Sequence, residues 1–433
     1  MNVMRPLVAA ALVALVAGTP TTPRAQGLPL AKAPEDVGLS AERLKRLSGV
    51  MKAGVDKGEI PGAVVLIGRN GKVAYLESFG FRDREAKAPM KADAIFRIAS
   101  MTKPVVSLAI MMLAEEGKLS IGHPVSRYLP AFKDLQVGVE KRNGDGSVEV
   151  VRQPMQREMT VQDLLRHTSG LTYGAAGRGP LKQAYIDAKL MDPGQTNEQM
   201  VAKLATLALV HQPGAAWEYS MSTDVLGRIV EVVGGMPLDR FIAERISRPL
   251  KLTDTGFAAD TSKQDRAALP QKSPASGQVP PIPSVTADLT WKSGGGGMVS
   301  TASDYARFCQ FWLNGGQLDG VRLVSRKTVE LMTADHLPPG TPIGADMRPA
   351  FQALLPSPEM GQGFGLGFAV RTDVGRNPLH GSVGDYYWGG AYGTYFWVDP
   401  KERLFAILMM QAPEQRLPYR YLMRELVYQA VMN

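Results

Sequence analysis

The chain has 433 residues, of which 45% are hydrophobic and 21% charged, and its formal net charge is +8. This composition is that of a globular protein with ample material for a core, and it excludes a disordered or fibrous chain. The positive charge is spread along the sequence, so we expect a solvated basic surface and no nucleic-acid partner.

The N-terminus has the pattern of an export signal over residues 1–25. Arg5 supplies a positive start, and Leu7–Val16 is an unbroken run of Leu, Val and Ala that is short for a membrane span. We expect a signal peptide cleaved after Gly18 or Ala25, and therefore a periplasmic or secreted protein. An uncleaved anchor and a disordered tail are the alternatives. No later stretch has eighteen apolar residues in a row, so no membrane span is predicted in the mature chain.

The single cysteine, Cys309, has no partner for an internal disulfide, so the fold must depend on its core even in an oxidising compartment. The sequence shows no His, Cys or carboxylate spacing typical of a metal site and no phosphate-binding loop. We therefore predict neither a metal nor a cofactor.

Apolar periodicity and turn residues divide the remaining chain into helices and strands. Helices are predicted over residues 38–57, 100–116, 161–166, 197–208, 222–234, 238–246, 301–313 and 417–432. Strands are predicted over residues 63–67, 73–76, 393–398 and 404–410, with an extra hairpin at 137–151 that turns at 143–146. The segment 388–394 is expected to open the penultimate strand, at an edge of the sheet. Loops are predicted at the Pro-rich segment 270–283 and at the four glycines 294–297.

Strands at both ends of the chain, with helices between them, predict an α/β (α+β) fold with one antiparallel sheet built from both termini. We expect residues 34–120 and 286–433 to form the sheet region. Residues 121–285 are expected to form an inserted, mainly helical region.

The stretch Ser100-Met101-Thr102-Lys103 carries the strongest chemical signal, and it is the only S-x-x-K in the chain. Side chains three residues apart share a helix face, so the Lys103 amine can reach the Ser100 hydroxyl. A serine hydroxyl is a poor nucleophile until a base takes its proton, and a lysine in a dry pocket can be that base. A simple N-cap is the structural alternative for Ser100.

Further motifs accompany this pair, in the order His167-Thr168-Ser169-Gly170-Leu171, Trp217–Ser222, Asp224–Gly227, Gly297–Thr301 and Trp388–Thr394. Together with the S-x-x-K they resemble the serine β-lactamase and penicillin-recognising superfamily. They resemble in particular the family VIII carboxylesterases, which look like class C β-lactamases but cleave esters. The resemblance covers about residues 34–433.

The resemblance implies roles for individual residues. Ser100 matches the nucleophile, and Lys103 matches the amine that keeps it reactive. Tyr219 matches the tyrosine of the Y-x-N element, which relays protons. The backbone amides of Ser100 and Ala391 match the oxyanion hole. The implied substrate pocket comprises Trp388, Gly389, Gly390, Met221 and Tyr387. Whether Lys103 or Tyr219 is the resting base stays open.

Two departures from the lactamase pattern concern the substrate. Met221 stands where Y-x-N has its Asn, which removes an amide that would hold a substrate amide. Trp388 stands where K-T-G has its Lys, which removes a cation that would attract a substrate carboxylate. Both changes favour neutral esters over penicillins, and the loss of a lysine near Tyr219 gives Lys103 more weight as the proton acceptor.

Other conspicuous residues have simpler interpretations. His167 is expected to order a loop, Ser382 to belong to a loop, and His380 to line the pocket at most. The aromatic run at 386–388 is either core packing or an acyl-binding wall. Cys309 falls on an apolar helix face and is expected in the core.

The sequence thus predicts a serine hydrolase that cleaves small carboxylic esters, with short acyl chains, through an acyl-enzyme on Ser100. A β-lactamase or D-amino-acid peptidase is the alternative among hydrolases. An acyltransferase and a non-catalytic peptidoglycan- or ligand-binding relative are further alternatives.

Overall fold

The computed structural model describes residues 27–174 and 179–433. The predicted signal peptide, residues 1–25, lies outside the described residues. Within the described part of the chain, every helix is too short or too polar to cross a bilayer.

The strands and helices are numbered here in chain order. The strands are β1 (Gly62–Arg69), β2 (Lys72–Asp83), β3 (Ala88–Pro89), β4 (Phe96–Arg97), β5 (Gln136–Arg142), β6 (Val148–Pro154), β7 (Val299–Ser300), β8 (Gln317–Leu318), β9 (Val321–Arg322), β10 (Gln362–Phe364), β11 (Ala369–Arg371), β12 (Tyr386–Gly389), β13 (Tyr395–Asp399) and β14 (Leu404–Met410). The helices are α1 (Ala41–Asp56), α2 (Thr102–Glu115), α3 (Val161–Leu165), α4 (Pro180–Asp187), α5 (Asn197–Leu204), α6 (Ser222–Gly234), α7 (Leu238–Ile242), α8 (Ala302–Leu313), α9 (Arg326–Met332), α10 (Met347–Phe351) and α11 (Arg416–Tyr428).

Eight strands form one sheet in the order β10-β11-β12-β13-β14-β1-β2-β3. Every neighbouring pair is antiparallel, and β1 lies against β14 with Ala63 opposite Met410 and Arg69 opposite Leu404. This arrangement confirms the predicted mixed fold with an antiparallel sheet drawn from both ends of the chain. The three-residue strands β10 and β11 were not predicted, because three residues are too few to show an alternation.

Helices cover both faces of the sheet, so β1, β13 and β14 are buried along their whole length. Adjacent residues of a strand point to opposite faces. Phe396 packs against Tyr305 of α8 on one face, with ring centroids 4.9 Å apart. The preceding residue, Tyr395, accepts a hydrogen bond from Arg424 of α11 on the other face. Continuous apolar strands are expected for a sheet that is covered on both sides.

Two predicted helices begin later than their periodicity suggested, because a hydroxyl caps each one. The Ser40 Oγ accepts the amide of Arg43 at the start of α1, and the Thr301 Oγ1 accepts the amide of Asp304 at the start of α8. The predicted hairpin at 137–151 is present as β5 and β6. The division of the chain at residues 120 and 285 stays a prediction.

Two local predictions near the site were wrong. Ser100 does not belong to the α-helix but to a 3₁₀ turn, Ala99–Met101, that precedes α2. The Trp388-Gly389-Gly390 segment does not open the penultimate strand. It ends β12 and leads into the turn before β13, because its glycines bend the chain back next to the Ile98 carbonyl. β12 also lies inside the sheet and not at its edge.

Candidate active site

Ser100 lies at the N-terminal end of α2, on a tight turn with a strained backbone. Ala99 has a φ of +45°, in the left-handed region that non-glycine residues rarely adopt. Such strain costs of the order of 1–3 kcal/mol and is typical of functional sites. The Ser100 side chain remains partly exposed, whereas α2 is buried from Thr102 to Leu113. The turn thus presents one hydroxyl at the border of a buried helix.

Lys103 is 1% exposed and makes three hydrogen bonds. Its Nζ lies 3.3 Å from the Ser100 Oγ, 3.0 Å from the Tyr173 hydroxyl and 2.6 Å from the Gly295 carbonyl oxygen. An ammonium has three N–H donors, and these three acceptors match them. The structure therefore brings the predicted serine and lysine into direct contact.

Tyr219 approaches this pair with its ring face. The Lys103 Nζ lies 4.6 Å from the centroid of the Tyr219 ring, within the range of a cation–π contact. The Tyr219 hydroxyl accepts a hydrogen bond of 3.0 Å from the Trp388 indole Nε1. Among the described residues, the Tyr219 hydroxyl makes no other hydrogen bond. Trp388 therefore presents a neutral N–H donor to Tyr219.

Tyr173, which sequence reasoning missed, is the second tyrosine of the site. Its hydroxyl accepts the Lys103 hydrogen bond, and its ring lies 5.6 Å from the Tyr219 ring. Burial raises the pKa of Tyr173 well above 10, and the nearby Asp224 carboxylate raises it further. Tyr173 therefore keeps its proton at neutral pH. The available signal was its position two residues after the His167–Leu171 motif.

Asp224 clamps the glycine loop that faces Lys103. Its Oδ1 accepts hydrogen bonds from the Ser293 hydroxyl at 2.6 Å and from the Gly295 amide at 2.9 Å. A Cβ at Gly295 would overlap the Asp224 carboxylate, so only glycine fits this position. Burial raises the pKa of Asp224, and the Lys103 charge partly opposes that rise. The sequence motif contained Asp224, but its contact with the glycine loop was not predicted.

The turn between β12 and β13 packs against the segment that precedes Ser100. The Thr394 Oγ1 donates a hydrogen bond of 3.1 Å to the Ile98 carbonyl oxygen, and a Cβ at Gly390 would overlap that same oxygen. Ala391, which follows, is exposed. The amides of Ser100 and Ala391 thus belong to neighbouring segments, and their role as an oxyanion hole stays a prediction.

Aromatic side chains form a wall around Tyr219. Its ring lies within about 6 Å of five other rings, those of His167, Trp217, Phe351, Trp388 and Tyr173. Phe351 of α10 was not predicted, because α10 is only five residues long and has no periodic pattern. The wall gives the surroundings of the tyrosine an apolar character.

The implied pocket residues do not all lie in this cluster. Tyr387 points to the other face of β12 from Trp388, where its hydroxyl donates to the Leu354 carbonyl oxygen at 3.1 Å. Met221 is fully buried before α6, whereas Gly389 is partly exposed. Trp388 contacts Tyr219, and Gly390 lies beside the Ser100 turn.

The two histidines of interest have different surroundings. His167 is buried, its Nδ1 lies 3.3 Å from the Ser220 Oγ, and burial lowers its pKa well below 6.5. A neutral buried histidine fits the expected role of ordering the loop. The largely exposed His380 pairs with Glu425 of α11 at 2.8 Å and does not join the cluster. Within the described residues no group of His, Cys, Asp or Glu side chains could hold a metal ion.

Comparisons with known proteins identify the family of the chain. The family model described as Beta-lactamase matches residues 47–427, so the chain belongs to the β-lactamase family. Protein Rv1367c of Mycobacterium tuberculosis is 38% identical over 82% of this chain and 87% of that protein. Esterase EstB of Burkholderia gladioli is 29% identical over 90% of this chain and 96% of its own length.

A solved structure also matches the chain over most of its length. The structure titled "EstCE1, a hydrolase with promiscuous acyltransferase activity" matches with a TM-score of 0.70 at 28% identity. The match covers 89% of this chain and 99% of that one. These findings confirm the resemblance to the β-lactamase superfamily and its esterase-like members. The chain is a serine hydrolase of this fold.

Proposed function

We propose that the protein hydrolyses small carboxylic esters through an acyl-enzyme on Ser100. The contact between the Ser100 Oγ and the buried Lys103 Nζ carries this proposal, because it joins a nucleophile to a possible base. The similarity to EstB, which is named an esterase, supports ester cleavage over other acyl chemistry.

The proposed reaction has two steps with balanced proton transfers. Lys103 first loses one proton to solvent, and the neutral amine then takes the Ser100 proton while the Oγ attacks the ester carbonyl carbon. The carbonyl electrons move to an oxyanion, which the amides of Ser100 and Ala391 stabilise. The C–O bond then breaks, the leaving alkoxide takes the hydroxyl proton of Tyr219, and Tyr219 regains a proton from Lys103, so that both groups return to their starting forms. A water molecule then attacks the acyl carbonyl and gives a proton to Lys103. The C–Oγ bond breaks, Ser100 takes that proton back, and the acid is released.

The surroundings of Tyr219 support a neutral ester as substrate. Trp388 places an uncharged indole where a lactamase has a lysine, and the neighbouring wall is aromatic. A substrate carboxylate has no K-T-G cation to bind there. Bulky rings crowd the approach to Tyr219, so we propose short acyl chains in preference to long ones.

Acyl transfer to an alcohol is the second candidate function. The similarity to EstCE1, whose title gives a promiscuous acyltransferase activity, favours it. An acyl-enzyme that reacts with water can react with an alcohol by the same mechanism. Added short alcohols would then divert the acyl group into a new ester.

The test uses p-nitrophenyl acetate, butyrate and octanoate beside nitrocefin, with intact mass after a fluorophosphonate probe. We expect turnover of the short esters, slow or absent nitrocefin cleavage, and one label that disappears in Ser100→Ala. Ser382→Ala is the matched control and should keep both label and turnover. Nitrocefin turnover with inert esters, or a label that persists in Ser100→Ala, would contradict the proposal.

We also propose that the protein is exported, on the basis of the charged and apolar pattern in residues 1–25. Fractionation of the producing cells, followed by intact mass, tests this. The mature protein should begin after Gly18 or Ala25. A full-length protein found only in the cytoplasm would contradict it.

A further inference from the structure

Arg420 of α11 lies directly behind the turn that carries Ala391. It is 7% exposed, and its Nη2 donates to the Gly390 carbonyl oxygen at 2.5 Å and to the Thr394 carbonyl oxygen at 3.2 Å. Its Nε is buried and has no hydrogen-bond partner among the described residues. The guanidinium therefore donates its hydrogen bonds to two carbonyl groups of one short turn, and its Cζ lies 5.5 Å from the centroid of the Tyr395 ring.

In residues 27–174 and 179–433, the charge of Arg420 is not balanced by a carboxylate. Among the residues that the structure describes, no Asp or Glu forms an ion pair with Arg420, whereas Arg424, one turn further along α11, pairs with Asp385. Burial lowers the pKa of Arg420 to about 10, so the group stays charged at neutral pH. A buried, unpaired cation is costly. A negative charge that forms nearby during the reaction would offset the free-energy cost of burying the Arg420 cation.

The Gly390 carbonyl and the Ala391 amide are the two ends of one peptide group. A cation at the oxygen draws electron density toward it and makes the N–H at the other end a stronger donor. The Gly393 amide also donates to the Gly390 oxygen at 3.1 Å, which helps to fix the plane of this peptide. Both contacts therefore orient the Ala391 N–H.

We propose that Arg420 is a positioning residue that orients and polarises the Gly390–Ala391 peptide for oxyanion stabilisation. This inference rests on the proposed ester hydrolysis and adds a residue to it. Arg420 touches neither substrate nor nucleophile and acts through the Ala391 amide. Its positive charge favours the oxyanion over the neutral ester, so it should affect kcat more than KM.

Gly389 offers an independent way to disturb this contact. A Cβ at Gly389 would lie 2.5 Å from the Arg420 Cζ, and Gly389 does not have a positive φ. Gly389→Ala should therefore push the guanidinium away from the Gly390 oxygen while the charge is retained. Gly49→Ala on α1 is the matched control, because a Cβ at Gly49 meets nothing within 4 Å.

The experiment compares wild type, Arg420→Met, Arg420→Lys and Gly389→Ala, with Arg416→Met and Gly49→Ala as controls. Steady-state kinetics with p-nitrophenyl butyrate gives kcat and KM. Infrared difference spectra with a ¹³C-labelled acyl group give the carbonyl stretch of the acyl-enzyme, which falls as the oxyanion-hole hydrogen bonds strengthen.

We expect kcat to fall roughly tenfold to a hundredfold in Arg420→Met, less than the loss of a whole oxyanion donor, with little change in KM. The carbonyl stretch should move to higher frequency in Arg420→Met and Gly389→Ala, and less in Arg420→Lys. The controls should match wild type in both readouts.

A lower kcat with the carbonyl stretch of wild type would overturn the proposal, since Arg420 would then be only structural. If Arg420→Met fails to fold, the test depends on Gly389→Ala and Arg420→Lys. A carbonyl stretch at the wild-type frequency in both of these variants would overturn the proposal. If wild type forms no acyl-enzyme, the proposed function itself fails, and the two failures are thus distinguishable.

Discussion

The indole of Trp388 donates a 3.0 Å hydrogen bond to the hydroxyl of Tyr219. This contact joins β12 to the segment before α6 and occupies one lone pair of the tyrosine oxygen. Within the part of the chain that the structure describes, no acceptor takes the hydroxyl proton, so the proton is available for donation. A tyrosine held in this way is better suited to hand a proton to a leaving alcohol than to accept one from Ser100.

Removal of the indole donor tests this relationship. Trp388→Phe keeps an aromatic ring but loses the hydrogen bond, whose net value is about 1 kcal/mol. We therefore expect kcat/KM for p-nitrophenyl butyrate to fall about fivefold. Trp397→Phe is the control, because the buried Trp397 indole has no hydrogen-bond partner in the described part of the chain. An equal loss in both variants would assign the effect to packing.

Lys103→Met tests the proposed base. The side chain is buried and contacts the Ser100 hydroxyl, so its removal should lower kcat by about 10²–10⁴. Formation of the acyl-enzyme, followed by mass spectrometry, should slow by the same factor. Lys52→Met, at a largely exposed lysine of α1, should have no effect. A Lys103→Met rate within tenfold of wild type would show that another group accepts the proton.

Gly295→Ala tests the clamp between the glycine loop and Asp224. A Cβ there would overlap the carboxylate, so the loop must shift and the Gly295 carbonyl must leave Lys103. We expect a loss of about 1–3 kcal/mol in the free energy of unfolding, together with lower activity. Urea unfolding measures the first. Gly256→Ala, where a Cβ has only an ordinary contact, should behave as wild type; similar losses in both would refute the clamp.

Asp163 should make stability depend on pH. Burial raises its pKa, but hydrogen bonds from Arg157 and Thr160 outweigh burial and lower the pKa from 3.8 to about 2. The carboxylate therefore stabilises the fold above about pH 4, and this contribution disappears as the pH falls through about 2. Asp163→Asn should cost about 2 kcal/mol at pH 7 and much less near pH 2.

Thermal melts of Asp163→Asn and wild type at pH 7, 5, 3 and 2 check this dependence. Asp265→Asn replaces an exposed carboxylate and serves as the control. A difference in Tm between Asp163→Asn and wild type that stays constant across this pH range would show that the charge of Asp163 does not matter.

Local patterns allowed the Ser100–Lys103 pair to be predicted, because side chains three residues apart share a face both in an α-helix and in the 3₁₀ turn that the structure has there. Tyr219 was predicted from the family resemblance and not from spacing. Tyr173 and Arg420 were missed because their roles depend on contacts between segments distant in the chain. No periodicity shows which arginine of an amphipathic helix points inward.

The fold was likewise predicted only in part. Long, strongly apolar strands such as β1 and β14 were predicted well, since their alternation or continuous burial is visible in the sequence. The positions of the strands at both ends of the chain predicted a single antiparallel sheet, but the order of the strands within it was not predicted. The 3₁₀ turn at Ala99–Met101 was predicted to be part of the α-helix that follows. Over three residues, apolar periodicity does not distinguish a 3₁₀-helix from an α-helix.

The pairing of β1 with β14 has a consequence for how the protein is made. Arg69 and Leu404 are neighbours in the sheet although 335 positions separate them (404 − 69). A growing polypeptide on the ribosome therefore has no partner for one side of its first long strand until synthesis is nearly finished. Contacts of such long range slow folding, and a chain that stops before residue 404 lacks the middle of its sheet.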